Sequence, residues 1–226
     1  MAKKIRLGIL GGGGDSLIGV LHRVASFIND NYEIVGGVFN PVWEENIGFA
    51  EEIGIPTNRI YIDFDTMVAE ELKLPQSERI QVVSILTPNF LHFPMAKKLI
   101  DAGFNVICEK PMTTTFEEAK ILEAALEKSQ TVFALTHTYT GYPMVRQMRE
   151  MINQGILGNI HKVDAQYYQG WINPIVHDAE LRKTTWRLDP EKAGISCCVG
   201  DIGVHAFNLI EFTTGLKIKS VLADFN

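Results

Sequence analysis

The stretch that decides the fold runs IRLGILGGGGDSLIG, from Ile5 to Gly19. An apolar run of strand length leads into four consecutive glycines and then into a helical pattern. Glycine lets the backbone approach a pyrophosphate closely, and the start of a helix supplies free amide groups. Gly11 and Gly13 match the first two positions of G-x-G-x-x-G, but the third falls on Ser16, and Gly19 fits only if the turn is three residues longer. For the glycine run alone, a strand–helix loop without a ligand is the alternative.

Apolar runs of strand length alternate with amphipathic stretches further along the chain, which predicts a doubly wound α/β domain over residues 1–136. The predicted parallel strands are Ile5–Leu10, Ile34–Phe39, Val82–Leu86, Asn105–Cys108 and Val132–Leu135. The predicted helices lie near Leu17–Ile28, Glu44–Ile53, Met67–Leu74, Leu91–Ala102 and Phe116–Lys128. The three threonines that end at Thr115 are expected to cap the last helix.

Residues 137–226 are predicted to begin a second domain of the α+β class. Its predicted elements are a helix over Tyr142–Ile152, a strand over His161–Tyr168, a helix from about Asp201 to Phe212 and a strand over Lys217–Ala223. So few elements make a poor independent core.

The bulk composition is that of an ordinary globular protein, with 46% hydrophobic and 21% charged residues in a chain of 226. A net charge of −6 argues against a nucleic-acid-binding surface, because such surfaces carry basic patches. The three cysteines, Cys108, Cys197 and Cys198, are odd in number and contain no C-x-x-C, so neither a disulfide framework nor a zinc site is expected. We therefore expect a reducing compartment, the cytoplasm, and no membrane span or export signal.

The end of the second strand bears on the choice of cofactor. An acidic residue that hydrogen-bonds the ribose hydroxyls commonly lies at this position. This chain has Asn40 instead, which can still hydrogen-bond a ribose. No Arg or Lys lies between Phe39 and Trp43 to meet a 2′-phosphate, so the sequence favours NAD over NADP. Glu44 and Glu45 are expected to form only the first turn of the next helix.

Two further motifs follow predicted strands, where ligands bind in sheets of this kind. Thr87-Pro88-Asn89 comes after the third strand, and a proline-containing turn with Asn89 as a helix cap is the alternative. Glu109-Lys110-Pro111 comes after the fourth strand. Lysine beside a developing alkoxide stabilises it. The alternative is a surface Glu/Lys pair at a strand end.

Asp201 and His205 are four residues apart, so on a helix they share one face. A carboxylate is favoured near a helix N-terminus, and histidine is a suitable proton acceptor near neutral pH. The alternative to a catalytic pair is an acid at the start of a helix and a histidine packed in the core. No further cluster of His, Cys and Asp supports a metal site, so none is expected.

Together these motifs resemble the glucose–fructose oxidoreductase/inositol dehydrogenase (Gfo/Idh/MocA) family. The glycine turn, Thr-Pro-Asn-x-x-His ending at His92, Glu-Lys-Pro, and Gly-Asp-x-Gly-x-His ending at His205 stand in family order. Trp186-Arg-Leu-Asp-Pro190 and Thr138-Tyr-Thr-Gly-Tyr-Pro143 are similar to a sugar-dehydrogenase branch with the same lengthened glycine turn.

The resemblance implies a role for particular residues. The catalytic group is Lys110, Asp201 and His205: His205 takes the hydroxyl proton, Lys110 stabilises the oxyanion or relays the proton, and Asp201 orients the hydroxyl. The implied cofactor-binding residues are Gly11, Gly13, Asp15, Leu17, Ile18, Asn40, Thr87, Pro88, Asn89, His92, Glu109 and Lys110. The implied substrate residues are Thr138, Tyr142, Trp171 and Arg187, although core packing explains the aromatic ones equally well.

The activity implied is hydride transfer between a sugar or polyol hydroxyl carbon and the nicotinamide of NAD or NADP. A non-catalytic dinucleotide-binding regulator and an NAD-assisted lyase or glycosidase are the rivals. Family members generally continue into a larger open, mostly antiparallel sheet that serves homo-oligomerisation. The resemblance therefore implies that this chain is truncated at its C-terminus or that a partner supplies the rest.

Overall fold

The computed structural model describes residues 3–224 and divides the chain into two compact units, Met1–Thr136 and His137–Asn226. We call them the amino-terminal and the carboxy-terminal unit. Each has its own secondary structure and is described by itself.

The amino-terminal unit is built on a five-stranded parallel sheet with the strand order β2-β1-β3-β4-β5. Its strands are β1 (Ile5–Gly11), β2 (Tyr32–Val38), β3 (Val82–Leu86), β4 (Asn105–Cys108) and β5 (Phe133–Leu135). Its helices are α1 (Leu17–Ile28), α2 (Trp43–Glu52), α3 (Phe64–Lys73), α4 (His92–Asp101) and α5 (Phe116–Lys128), with short 3-10 helices at Thr57–Arg59 and Asn89–Leu91. The prediction of a doubly wound parallel sheet is confirmed.

Strand β1 pairs with β2 on one side and with β3 on the other. At its carboxyl end, Leu10 lies opposite Val38, and Gly11 lies opposite Leu86. The chain crosses from one side of β1 to the other at this point. The loops after β1 and β3 therefore diverge and leave a crevice, which is where open α/β sheets bind ligands.

Two apolar clusters fill the two faces of this sheet. Side chains alternate between the faces of a strand, so Leu7 and Ile9 of β1 enter one cluster and Leu10 enters the other. The first cluster includes Phe49 of α2, and the second includes Leu99 of α4 and Leu122 of α5. Helices consequently cover both faces of the sheet, and the carboxyl edge stays open for the loops.

Capping side chains set the helix boundaries that hydrophobic periodicity alone misplaces. Thr115 caps α5 as predicted: its hydroxyl accepts a hydrogen bond from the Glu118 amide at 3.2 Å, and the Glu118 carboxylate accepts one from the Thr115 amide. Helix α3 was predicted to begin at Met67, but it begins at Phe64, because the Asp63 carboxylate accepts from the Thr66 amide at 2.7 Å.

The carboxy-terminal unit is helical in its described residues. Its helices are α6 (Pro143–Asn153), α7 (Asn173–Val176), α8 (Ala179–Thr184), α9 (Pro190–Ala193) and α10 (Val204–Thr214), with 3-10 helices at Thr138–Gly141 and Trp186–Leu188 and a π-helical segment at Val199–Gly203. Helix α6 packs against α10, where the Arg149 guanidinium lies 4.4 Å from the centre of the Phe212 ring. Among the described residues of this unit, the buried ones are Ala193, Gly194, His205 and Thr213.

The two strands predicted in this unit are wrong. Neither His161–Tyr168 nor Lys217–Ala223 forms a strand in the described residues. A strand needs a neighbouring backbone to satisfy its amide and carbonyl groups, and neither segment pairs with another within residues 137–224. Alternating tyrosines mark a propensity for strands, but propensity does not supply the partner.

None of the helices formed by residues 3–224 combines the length and the apolar character that crossing a bilayer requires.

Candidate active site

The glycine turn after β1 lies against the end of β2. Gly11 has a φ of +77°, which glycine adopts without strain. The Gly13 amide donates to the Phe39 carbonyl oxygen at 3.1 Å, and a Cβ atom added at Gly13 would come within 2.7 Å of that oxygen. The turn is therefore held at the crevice by main-chain contacts that a side chain would break.

Gly19 takes the position that the third glycine of a dinucleotide-binding turn occupies. A Cβ atom added at Gly19 would lie 1.8 Å from the Gly12 carbonyl oxygen. The third glycine of such a turn permits close packing of the helix on the strand end. The turn is thus the lengthened form that the sequence left open, and Ser16 instead caps α1 by accepting from the Gly19 amide at 3.2 Å.

The start of α1 presents free main-chain donors. The amides of Leu17 and Ile18 have no hydrogen-bond partner among the described residues. Leu17 and Asp15 have exposed side chains, whereas the Ile18 side chain packs on the core beneath the turn. Free amides at a helix N-terminus bind phosphate groups. Leu17 and Ile18 would therefore contact a pyrophosphate through their backbones.

Replacing Gly19 with alanine is expected to raise the Kd for NADH roughly tenfold or more, because the added carbon displaces the turn that carries the pyrophosphate-binding amides. Fluorescence titration with NADH measures the change. The matched control is Gly48→Ala in α2, where an added Cβ meets no atom within 4 Å. That control should leave the Kd unchanged and should stabilise the helix by up to about 1 kcal/mol. Equal Kd values for the two variants would contradict this role for Gly19.

Asn40 is engaged with the start of α2. Its side-chain oxygen accepts from the Val42 amide at 2.9 Å, and its amide nitrogen donates to the Glu45 carboxylate at 2.6 Å. Glu45 therefore does more than begin a helix, because it places a negative charge beside the predicted ribose position.

The loops after β3 and β4 lie side by side, because these strands are neighbours in the sheet. Asn89 does not cap α4: it is the first residue of the 3-10 helix Asn89–Leu91, and neither that helix nor α4 has a side-chain cap. After β4, the Glu109 amide donates to the Ile85 carbonyl of β3 at 3.0 Å, and the Lys110 amide donates to the Glu109 carboxylate at 3.2 Å. The Lys110–Pro111 peptide bond is cis.

His92 is buried and joins these two loops. Its side chain is 1% exposed, with Nδ1 2.7 Å from the Pro111 carbonyl oxygen and Nε2 2.9 Å from the Thr87 carbonyl oxygen. Burial lowers the pKa of His92, and the two carbonyl contacts act in the opposite direction. Both ring nitrogens contact main-chain carbonyl groups, so His92 links the loops after β3 and β4.

Asp201 and His205 lie where the π-helical segment Val199–Gly203 leads into α10. Asp201 belongs to the π-helical segment, where its amide donates to the Cys197 carbonyl oxygen at 2.9 Å, and His205 is the second residue of α10. Single π-helical turns occur frequently at functional sites. The His205 side chain is 9% exposed.

Tyr139 packs against His205 and bonds to Tyr167, and the sequence alone did not single out either contact. The Tyr139 ring lies edge-on to the His205 ring with centroids 4.8 Å apart, and the Tyr139 hydroxyl is 2.5 Å from the Tyr167 hydroxyl. Burial and the bond to Tyr167 raise the pKa of Tyr139 to about 12, with Tyr142 and Asp201 contributing. Tyr139 stood inside the quoted Thr138–Pro143 motif, and only its distance to His205 distinguishes it from its neighbours.

A cavity of about 410 Å³ lies within the carboxy-terminal unit, next to the π-helical segment. Asp201, Arg187 and Trp171 all line it, together with Tyr167. The Arg187 guanidinium lies over two indole rings, at 4.5 Å from Trp186 and 5.9 Å from Trp171. The structure thus brings together two of the four predicted substrate residues.

The other two predicted substrate residues, Thr138 and Tyr142, do not line this cavity. Thr138 is exposed, and the Tyr142 ring packs edge-on against Tyr139 at 5.7 Å. Within residues 3–224, no group of three or more His, Cys, Asp or Glu side chains is placed to hold a metal ion.

The amino-terminal unit fits a dinucleotide. A parallel sheet with a switch point, a glycine turn in which main chain blocks a Cβ atom at Gly13 and Gly19, and free amides at the start of α1 define a dinucleotide-binding Rossmann domain. The model of the "Oxidoreductase family, NAD-binding Rossmann fold" matches residues 5–137, and that of the "GFO/IDH/MocA C-terminal domain" matches residues 145–226. The chain belongs to the Gfo/Idh/MocA oxidoreductase family, as its motifs predicted.

Individual relatives agree with this membership. The chain is 35% identical over 227 residues to the uncharacterized oxidoreductase YfiI of Bacillus subtilis, which spans 99% of the chain and 57% of YfiI. It is 29% identical to a levoglucosan dehydrogenase of Pseudarthrobacter phenanthrenivorans, over 67% of the chain and 37% of that enzyme. An inositol dehydrogenase homolog of Azotobacter vinelandii, solved with NAD+, matches with a TM-score of 0.88 and 35% identity, over 95% of this chain and 55% of that one. The chain thus spans little more than half the length of YfiI and of this homolog.

Proposed function

We propose that this chain carries the catalytic residues of an NAD(P)-dependent dehydrogenase that oxidises a hydroxyl carbon of a sugar or polyol. One observation carries the proposal: the glycine turn, Thr87-Pro88-Asn89 and Glu109-Lys110 all stand at the carboxyl edge of neighbouring strands at the switch point. Relatives named for levoglucosan and inositol support the substrate class.

The proposed roles fall on individual residues of each unit, taken by itself. In the amino-terminal unit, the amides of Leu17 and Ile18 hold the pyrophosphate, and Lys110 stabilises negative charge on the substrate oxygen. In the carboxy-terminal unit, His205 accepts the hydroxyl proton and Asp201 orients that hydroxyl. When bound, the nicotinamide supplies the hydride acceptor.

The substrate end of the site follows from the cavity beside the π-helical segment. Asp201 and Arg187 offer a hydrogen-bond acceptor and donors, and Trp171 offers a flat apolar face. Sugars present hydroxyl groups around an apolar ring face, so this mixture of side chains suits them. Tyr139 and Tyr167 belong with this group, because Tyr139 links the base His205 to the cavity wall.

The rival functions are separated by one experiment on the purified chain. NADH and NADPH are titrated by fluorescence, and NAD+ reduction is then followed with a panel of monosaccharides, anhydrosugars and cyclitols. Binding with formation of NADH supports the dehydrogenase. Binding without turnover of any panel member favours a non-catalytic regulator. A product formed without net NADH favours an NAD-assisted lyase or glycosidase.

The preference for NAD over NADP is a proposal supported by Glu45. Its carboxylate is held by Asn40 at 2.6 Å, beside the point where a ribose is expected. Replacing Glu45 with glutamine is expected to improve the NADPH:NADH affinity ratio about fivefold to tenfold, because like charges a few ångströms apart near a surface repel by roughly 1 kcal/mol or more. The control is Glu44→Gln, the exposed acid next to it. Equal ratios in both variants would contradict the role of Glu45.

A cytoplasmic location and a homo-oligomer also remain proposals. Free cysteines at 108, 197 and 198 support a reducing compartment. Exposed apolar side chains near the carboxyl end of the chain, at Ile218, Val221 and Leu222, support contact with a further strand or subunit. Light scattering of the purified chain at several concentrations measures its oligomeric state.

A further inference from the structure

Three side chains of the amino-terminal unit form a hydrogen-bonded chain that ends on Glu109. The His22 Nε2 atom of α1 lies 2.9 Å from Oε1 of Glu109, and the Ser84 hydroxyl of β3 lies 3.0 Å from Nδ1 of His22. Ser84 is fully buried, and the His22 and Glu109 side chains are 15% and 12% exposed. No sequence motif indicated this group, because Ser84 and Glu109 are 62 and 87 residues from His22 along the chain.

The chemistry of the three groups favours one placement of the protons. A carboxylate only accepts hydrogen bonds, so the proton between His22 and Glu109 belongs to Nε2. In a neutral imidazole the other nitrogen then accepts, and the buried Ser84 hydroxyl donates to it. Every donor in the group is satisfied in this arrangement, and all of the bonds point toward Glu109.

The location of the group gives it a role. His22 is on the helix whose first turn presents the pyrophosphate-binding amides, and Glu109 directly precedes Lys110. The second carboxylate oxygen of Glu109 accepts from the Lys110 amide at 3.2 Å. The group therefore connects the dinucleotide-binding turn to the strand end that carries the lysine.

We propose that His22, oriented by Ser84, is a positioning residue of the active site that fixes the Glu109 carboxylate and, through it, the backbone at Lys110. This inference rests on the proposed function, because it assigns the network to a dehydrogenase site. His22 touches neither substrate nor the reacting carbon in this role. It holds the dinucleotide-binding turn and Lys110 in a fixed position relative to each other.

Ser84 provides the discriminating variant. In Ser84→Ala the imidazole loses the donor at Nδ1, so that nitrogen becomes free to take up a proton while Nε2 still faces Glu109. We expect the pH profile of kcat in Ser84→Ala to differ from that of the unmodified chain. His22→Ala removes the bond to Glu109 altogether, and we expect the Kd for NADH to rise about tenfold, the effect of one charge-assisted hydrogen bond. His22→Gln, which keeps one donor, should recover part of that loss.

The test begins with a measurement that needs no cofactor. Nitrogen-15 NMR of the histidine rings is expected to show His22 as the neutral tautomer protonated at Nε2, and to show added protonation in Ser84→Ala. NADH titration and the pH profile of kcat follow for Ser84→Ala, His22→Ala and His22→Gln. The control is Ser26→Ala, also on α1, whose buried hydroxyl donates to the Arg23 carbonyl within the same helix. It should behave as the unmodified chain does.

The outcomes separate this inference from the proposed function. A His22 ring protonated at Nδ1 overturns the network, whatever the chain binds. Unchanged NADH affinity and an unchanged pH profile in the His22 and Ser84 variants overturn the positioning role, provided the unmodified chain binds NADH. If the ring has the expected tautomer but the unmodified chain binds no dinucleotide, the proposed function fails and takes the positioning role with it.

Discussion

Replacing Lys110 with methionine is expected to lower kcat by about 10²- to 10⁴-fold, the contribution typical of a group that moves or stabilises a proton in the transition state. Methionine keeps the unbranched side chain and removes the charge. The Glu109 and Lys110 amides retain their hydrogen bonds to Ile85 and Glu109, so the end of β4 should keep its course. The Kd for NADH should therefore change far less than kcat does.

The measurement is initial rate against substrate concentration, with NADH affinity determined separately by titration. Lys120→Met is the matched control: Lys120 is on α5, where its ammonium lies 5.5 Å over the Phe116 ring. A loss that appears only in the Kd for NADH would make Lys110 a cofactor ligand instead of a catalytic group. A rate equal to that of the control would remove Lys110 from the mechanism.

The parallel sheet could be predicted from the sequence because its signals are local. Each strand is a short apolar run, and the side chains at 7, 9 and 10 are apolar because both faces of the sheet are covered. Even the irregular glycine turn could be located. The identity of its third glycine could not be decided, because that depends on the approach of Gly19 to the Gly12 carbonyl.

Features that depend on a distant partner escaped prediction. The segment His161–Tyr168 alternates as a strand does, but no backbone hydrogen bond pairs it with another segment within residues 137–224. Its longer-range bond is made by a side chain, that of Tyr167 to Tyr139. His92 belongs to a cofactor-binding motif, yet two carbonyl groups occupy its ring. Tyr139 gains meaning only from its contact with His205. In each case the outcome depends on contacts made by the fold, and residue type alone does not reveal them.

Glu71 is the position where a single substitution should cost the most stability. Its side chain is fully buried on α3 and accepts three hydrogen bonds: from the Tyr61 hydroxyl at 2.5 Å, from the Arg59 guanidinium at 2.7 Å and from the Ile80 amide at 2.8 Å. Burial, and then the bond to Glu71, raise the pKa of Tyr61, so its hydroxyl stays a donor. The carboxylate thereby joins the α2–α3 connection to the segment that leads into β3.

Replacing Glu71 with alanine is expected to lower the free energy of unfolding by about 3–5 kcal/mol, because the change leaves the Arg59 charge and two buried donors without their acceptor. Such a loss is a large part of the 5–15 kcal/mol typical of a domain. Urea unfolding measures it, with Glu70→Ala as the control. Glu70 is the preceding residue and pairs with Lys73 at the surface at 2.6 Å, so its removal should cost at most about 1 kcal/mol.

The Glu71→Gln variant tells which part of the network matters. Glutamine keeps one acceptor oxygen for Tyr61 and Arg59, but its amide group then faces the Ile80 amide, and two donors repel. A loss between those of the two alanine variants would show that the bond to Ile80, and hence the entry into β3, carries part of the stability. If Glu71→Ala unfolded at the same urea concentration as Glu70→Ala, the buried carboxylate would be dispensable. The course of β3 toward Thr87 would then be set by the apolar clusters alone.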